Sequence, residues 1–181
     1  FHVLGDGGLI ITNNTNIYKK ILLLRNHGLI NRDKSLVWGT NSRLDNLQAG
    51  FGNVMLDKIS SLNQKQLAIA KIYSNKLSKK IKLPLYDLNI SNPTFHQFII
   101  RTHFRDKLKN YLKKNGIDTA IHYPIPIHKQ DAYTKQYGKI KLPTTEKFSK
   151  EILSLPINPY MTKVEINYVI KIVNNFFDRV N

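Results

Sequence analysis

No cysteine occurs in the 181 residues, so neither a disulfide framework nor a thiolate-bound metal can belong to this chain. Long apolar runs are missing as well. None approaches the ~20 residues a membrane-crossing helix requires, and no basic-then-apolar leader opens the sequence. A cytoplasmic location is therefore the expectation, with no membrane partner. Negative charge is scarce: 12 Asp+Glu stand against 28 Lys+Arg, for a formal net charge of +16. That imbalance invites a nucleic-acid reading. The cations, however, are mostly lysines spread over polar helix faces. The densest group, Lys76, Lys79, Lys80 and Lys82, lies at an expected helix end, where cations suit the dipole. Aromatic–basic interleaving of the kind that grips single strands is absent. The charge reads instead as a solvated basic surface suited to an anionic small molecule. What is present is core material: 41% of residues are hydrophobic and 10% aromatic, which excludes a disordered chain. The length suits one domain, or a domain with a piece of another. Phe1 leads straight into Gly5-Asp6-Gly7-Gly8 and an apolar segment, so the chain reads as the continuation of a longer polypeptide.

Hydrophobic spacing sets out the elements. Leu9-Ile10-Ile11-Thr12 is a short apolar run between glycines and Asn13-Asn14, the pattern of a buried strand. Ile17, Ile21, Leu22 and Leu24 recur at helical spacing, with Thr15 as the expected cap and His27-Gly28 as the stop. A polar loop with the single Trp follows. Ser42 is the expected N-cap of a long amphipathic helix, with Asp45 in the capping-box position. Leu44, Leu47, Phe51, Val54, Met55, Ile59 and Leu62 share one face, and Leu67, Ala70, Tyr73 and Leu77 continue it. Unbroken, that helix would span ~50 Å at 1.5 Å per residue, and a kink is expected near Ser60-Ser61. Beyond it come a strand over 94–101, a helix over 105–114 closed by Asn115-Gly116, a strand over 119–122 and a proline-braced loop over 123–128. A short helix near 129–136, a Pro143-led helix and the run Leu153-Ser154-Leu155-Pro156 follow. Thr162 and Glu165 mark a capping box for a final helix over 163–178. Strand–helix–strand, then helix, strand, helix describes a small α+β sandwich.

Three stretches could carry chemistry. Asn41 and Arg43 flank the expected helix start. A cation in a first helical turn is unfavourable against the dipole by ~0.3–1 kcal/mol, a sign that an anion bound at the helix N-terminus reverses. His122, Tyr123 and His128 stand on a loop stiffened by Pro124 and Pro126, just past an expected strand end. Two histidines with no nearby carboxylate or thiol form poor metal-ligand spacing, so no metal is expected. Arg25-Asn26-His27-Gly28 reads as a helix end, with histidine suited to the dipole and Gly28 to a left-handed cap. Gly5-Asp6-Gly7-Gly8 is too short for a phosphate-binding loop of the Gly-x-x-x-x-Gly-Lys type. No nucleophile–base pair or acid–base pair can be assembled from these residues alone.

In order along the chain, Gly5-Asp6-Gly7-Gly8, Leu24-Arg25-Asn26-His27-Gly28, Asn41-Ser42-Arg43-Leu44-Asp45-Asn46-Leu47-Gln48-Ala49, Gly116-Ile117-Asp118, His122-Tyr123-Pro124-Ile125-Pro126-Ile127-His128 and Leu153-Ser154-Leu155-Pro156 resemble the DegT/DnrJ/StrS family of pyridoxal-phosphate sugar aminotransferases. The resemblance spans essentially the whole chain. It implies an α/β fold-type-I aminotransferase fragment: residues 1–43 as the C-terminal edge of the large cofactor-binding domain, 44–80 as a long bridging helix, and 81–181 as the small α+β domain. It further implies a homodimer, pyridoxal 5′-phosphate as cofactor, a nucleotide-linked keto-sugar as acceptor and glutamate as amino donor. Asn41 matches the family asparagine that reaches the cofactor phosphate of the other subunit, with Arg43 beside it. His122, Tyr123 and His128 match the loop that lines the sugar-nucleotide pocket. The family's Schiff-base lysine projects about two positions before Phe1, so no catalytic residue is assigned within the chain, which is expected to be inactive alone. A regulatory or assembly role for an inactive relative of the family is the alternative from a different class.

Overall fold

The computed structural model describes residues 3–180. The chain divides into two compact units, Phe1–Ser60 and Ser61–Asn181. The first unit is organised around α1 (Thr15–Leu24). Its cap is Asn14 rather than Thr15: the Asn14 side chain accepts from the amides of Asn16 at 2.9 Å and Ile17 at 3.1 Å. Asparagine at that position satisfies two of the helix's free N–H groups at once. The helix stops as expected. His27 (φ 57°) and Gly28 (φ 71°) both adopt left-handed backbone, and the Gly28 amide donates to Leu23 O at 2.7 Å. Glycine is also required there for space, since a Cβ would lie 1.7 Å from the Val37 carbonyl oxygen.

The polar stretch after Gly28 is a small hairpin. Ile30 donates to Lys34 O at 3.0 Å and Leu36 to Gly28 O at 2.9 Å. The chain then returns along the end of α1: Thr40 N bonds Leu24 O at 2.9 Å, His27 N bonds Thr40 O at 3.0 Å and Ser42 N bonds Arg25 O at 2.9 Å. This pairing overturns the expectation that Ser42 caps the long helix. Ser42 is held in an extended register, so α2 (Asn46–Lys76) begins only once the chain is released, after Asp45. Gln48 then supplies the reach-back of a capping box, its carboxamide oxygen 3.4 Å from the Asp45 amide, while its Nε2 donates to Leu4 O at 3.1 Å. The helix is continuous through Ser60 and Ser61, where the sequence predicts a kink. Two serines cost a helix too little to end one. The expected strand at Leu9–Thr12 is not formed. Nothing among the described residues pairs with the segment, and Leu9 and Ile11 are exposed to solvent.

The second unit holds the core. β1 (Phe98–Arg101) pairs antiparallel with β2 (Ile152–Leu155), Phe98 opposite Leu155 and Arg101 opposite Ile152. Two single bridges widen this sheet, Lys82 to Arg101 on one edge and Ala120 to Ser154 on the other. The strand expected at 94–101 is therefore shorter, because Phe95 turns into left-handed backbone at φ 47°. The strand expected at 119–122 shrinks to the Ala120 bridge. α3 (Arg105–Lys114) has Asp106 in its first turn and Lys113 and Lys114 in its last, the polarity the dipole favours. Gly116 (φ 73°) closes it. A 3-10 turn at Ile127–Lys129 precedes α4 (Asp131–Tyr137). α5 (Pro143–Glu151) has proline in its first turn and passes directly into β2. α6 (Lys163–Arg179) carries the expected capping box, with Glu165 N on Thr162 Oγ1 at 3.2 Å and Thr162 N on Glu165 Oε2 at 2.7 Å.

The sheet, α3, α6 and the C-terminal half of α2 bury one cluster, including Tyr73, Phe98, Ile100, Leu112, Leu153 and Phe177. Tyr73 is fully buried and donates to the Pro156 carbonyl at 2.8 Å. Burial pushes its phenol well above the usual range, and the hydrogen bond satisfies the hydroxyl among the apolar side chains of this cluster. Among the described residues no helix is long and apolar enough to cross a membrane.

Candidate functional site

Two groups of chemistry-bearing residues form, one in each unit. In the first, the antiparallel return of residues 40–42 along the end of α1 brings Asn41 opposite Asn26. Arg43 closes the group. Its Nε donates to Asn41 Oδ1 at 3.1 Å and its Nη1 to Asn26 Oδ1 at 2.6 Å. A guanidinium has donors only, so both carboxamides must turn their oxygens toward it, which leaves their NH2 groups for other acceptors. The guanidinium and the amide NH2 groups are donors, and each amide oxygen already spends one of its two lone pairs inside the group. Such an arrangement suits an anion better than a cation. Arg43 lies ahead of α2 rather than inside its first turn, so the dipole argument for it does not hold. The donor arithmetic replaces it. Arg43 also lines a cavity of about 630 Å³ together with Gly7, Gly8, Arg25 and Ser42.

In the second unit the loop from His122 to His128 forms one wall of a cleft of about 890 Å³, and Tyr133, Phe148 and Ile152 contribute to the others. The three loop residues singled out from sequence differ in their surroundings. His122 is half-buried, its Nδ1 2.8 Å from Ser154 Oγ, which leaves Nε2 to meet a ligand. Tyr123 is exposed. His128 is buried, and its Nε2 lies 3.3 Å from Glu146 Oε1. Its ring anchors the loop to α5 instead of presenting that nitrogen to the cleft. Glu146 also takes Lys129 Nζ at 2.6 Å and the Leu142 amide at 3.1 Å. Lys129 above all, then the Leu142 N–H and His128, draw its carboxyl down from 4.5 to about 2.

A lowered carboxyl pKa stabilises the fold in full above its unfolded value and loses that contribution as pH falls through its folded value. For Glu146 the window runs from about 4.5 down to about 2. Glu146→Gln is expected to melt below the parent protein at neutral pH, with the two melting curves converging as pH falls toward the lower end of that window. Thermal unfolding followed across the pH range checks this. A constant gap between the two proteins would remove Glu146 from the role.

Sequence reasoning missed Asn26, Ser154 and Glu146. Asn26 and Ser154 sit inside motifs read only as a helix end and an apolar run. For Ser154 the signal was a lone polar residue within Leu153-Ser154-Leu155. Among the described residues no group of three or more His, Asp or Glu could hold a metal ion.

The sequence profile of the DegT/DnrJ/EryC1/StrS aminotransferase family matches residues 1–174. The chain belongs to this family. Among its relatives, the dTDP-3-amino-3,4,6-trideoxy-alpha-D-glucose transaminase of Streptomyces venezuelae is 35% identical over 98% of this chain and 47% of its own length. The dTDP-3-amino-3,6-dideoxy-alpha-D-galactopyranose transaminase of Aneurinibacillus thermoaerophilus is 36% identical over 94% of this chain and 47% of its own. The crystal structure of S. venezuelae DesV in complex with a ketimine intermediate superimposes with a TM-score of 0.87 at 34% identity, over 94% of this chain and 47% of that one. The chain spans about half the length of the curated relatives it matches. The fold is that of the DegT-family sugar aminotransferases, and the mixture of helix and sheet expected from sequence is present.

Proposed function

We propose that these residues form the C-terminal part of a pyridoxal-phosphate-dependent aminotransferase. It moves an amino group from glutamate to a nucleotide-linked keto-sugar in amino-sugar or cell-surface polysaccharide biosynthesis. The observation that carries the reading is the donor group of Asn41 and Arg43 in a chain that matches DegT-family enzymes along nearly all its length. A phosphate ester fits that group: the asparagine oxygen already accepts from the guanidinium, so amide NH2 and guanidinium N–H donors outnumber the acceptor capacity left. Bound pyridoxal phosphate would supply the electron sink that amino transfer needs, while the protein supplies position and electrostatics.

The chain's own residues then divide the work. Asn41 and Arg43 hold the phosphate, across a homodimer interface. His122 Nε2 and the Tyr123 hydroxyl meet the sugar or its phosphates. His128, tied to Glu146, keeps the loop in place. The lysine that carries the cofactor is not among the lysines present here.

The test is turnover by the protein as its gene encodes it, supplied with glutamate and either a dTDP- or a UDP-linked keto-sugar. Release of 2-oxoglutarate that requires both the keto-sugar and pyridoxal phosphate is expected, and residues 1–181 alone should give none. No 2-oxoglutarate with either nucleotide sugar would overturn the reading.

A further inference from the structure

The Asn26 side chain is the part of the anion site that neither the family motif nor the sequence assigned a task. It sits 17 residues from Arg43 in the chain and accepts from Arg43 Nη1 at 2.6 Å, the shorter of the two bonds that hold the guanidinium. Its own backbone is fixed twice, by the bridge to Asn41 and by the left-handed pair His27 and Gly28 that follows it. Arginine is rotamer-rich, and its usefulness to a phosphate depends on the fork being aimed beforehand. Asn41 grips the guanidinium at Nε and Asn26 at Nη1, so the plane is defined from both sides. Arg43 lines the cavity beside Gly7 and Gly8, whereas the two asparagines that hold it, Asn26 and Asn41, are not among the lining residues.

We propose that Asn26 is a positioning residue: it aims the Arg43 guanidinium at the cofactor phosphate and acts through Arg43 alone. The proposal rests on the phosphate reading of Asn41 and Arg43.

The intact protein is titrated with pyridoxamine 5′-phosphate and with pyridoxamine, and the ratio of the two affinities isolates the phosphate's share. A loosened fold moves both ligands; a mis-aimed arginine moves only the phosphorylated one. Asn26→Ala is expected to lower the ratio by about ten-fold, the scale of a charge-assisted contact. In an Arg43→Ala background it should lower the ratio no further, since two residues acting through one contact are not additive. Asn26→Ser, which is too short to reach Nη1, should match Asn26→Ala and serves if the alanine protein folds poorly. An unchanged ratio in both Asn26 variants, or an equal drop in the Arg43→Ala background, overturns the positioning role while the phosphate site stands. An unchanged ratio in Arg43→Ala itself overturns the role of Arg43 on the phosphate and this inference with it.

Discussion

Replacing Phe98 with alanine is expected to cost the second unit about 3–5 kcal/mol, the range for a large aromatic removed from a closed core. Phe98 has no exposed surface. Its ring lies 5.2 Å from the ring of Tyr73 and 6.1 Å from that of Phe95. It therefore connects α2, the segment before β1 and the sheet in one contact group. The neighbours are poorly placed to close the gap. Tyr73 is tethered to the Pro156 carbonyl, and Phe98 itself is in register opposite Leu155. A cavity that cannot collapse is costlier than the lost transfer energy alone. Urea unfolding of the intact protein measures it. The control is Lys171→Ala on the exposed polar face of α6 in the same unit, expected within about 0.5 kcal/mol of the parent. A loss below about 1 kcal/mol for Phe98→Ala would show that the core repacks around the gap, unlike a close-packed interior.

Asn41→Ala is expected to weaken retention of pyridoxal phosphate by about ten- to one-hundred-fold. A hydrogen bond to a charged group is worth about 1.5–3 kcal/mol, and each 1.4 kcal/mol is about ten-fold in affinity. The substitution acts twice: it deletes an amide donor and releases Arg43 Nε from its 3.1 Å bond to the Asn41 oxygen. Asn41→Asp should be worse still. The carboxylate would keep Arg43 by ion pairing but offer the phosphate a negative charge in place of an NH2 group. Dialysis of the loaded protein, with the remaining cofactor read by absorbance, separates the three proteins. Equal retention in all three would remove Asn41 from the site.

What could be read from the sequence was what local chemistry decides. The Thr162–Glu165 capping box and the Gly116 stop are short-range arrangements, and both form as expected. So does the helix over 105–114, whose charges agree with its dipole. The misreadings share a cause. Ser42 has the right residue type for a cap, but a backbone pairing with Arg25 takes it first. Leu9–Thr12 has strand composition, but a strand exists only with a neighbour to bond. The donor group was half legible. Asn41 and Arg43 adjoin in sequence, whereas the contact with Asn26 depends on the hairpin between Gly28 and Leu36 bringing the chain back. In the cleft, the proline-braced loop was visible as stiff. That His128 turns into the protein toward Glu146 was not, because α5 lies beyond a further helix in the chain.

The pairing of β1 with β2 has a kinetic consequence. α3, the proline-braced loop, α4 and α5 all lie between the two strands in the chain. The sheet bonds cannot form until that whole stretch has been closed into a loop, an entropic cost met before any of the cross-strand contacts can repay it. Refolding of the second unit is therefore expected toward the slow end for its size. α3 and α6 are free to form early from local contacts, while Phe98, Ile100, Leu153 and Leu155 acquire their neighbours last. In a freshly made chain these strand edges are the surfaces exposed longest, and they are where premature association between molecules would begin.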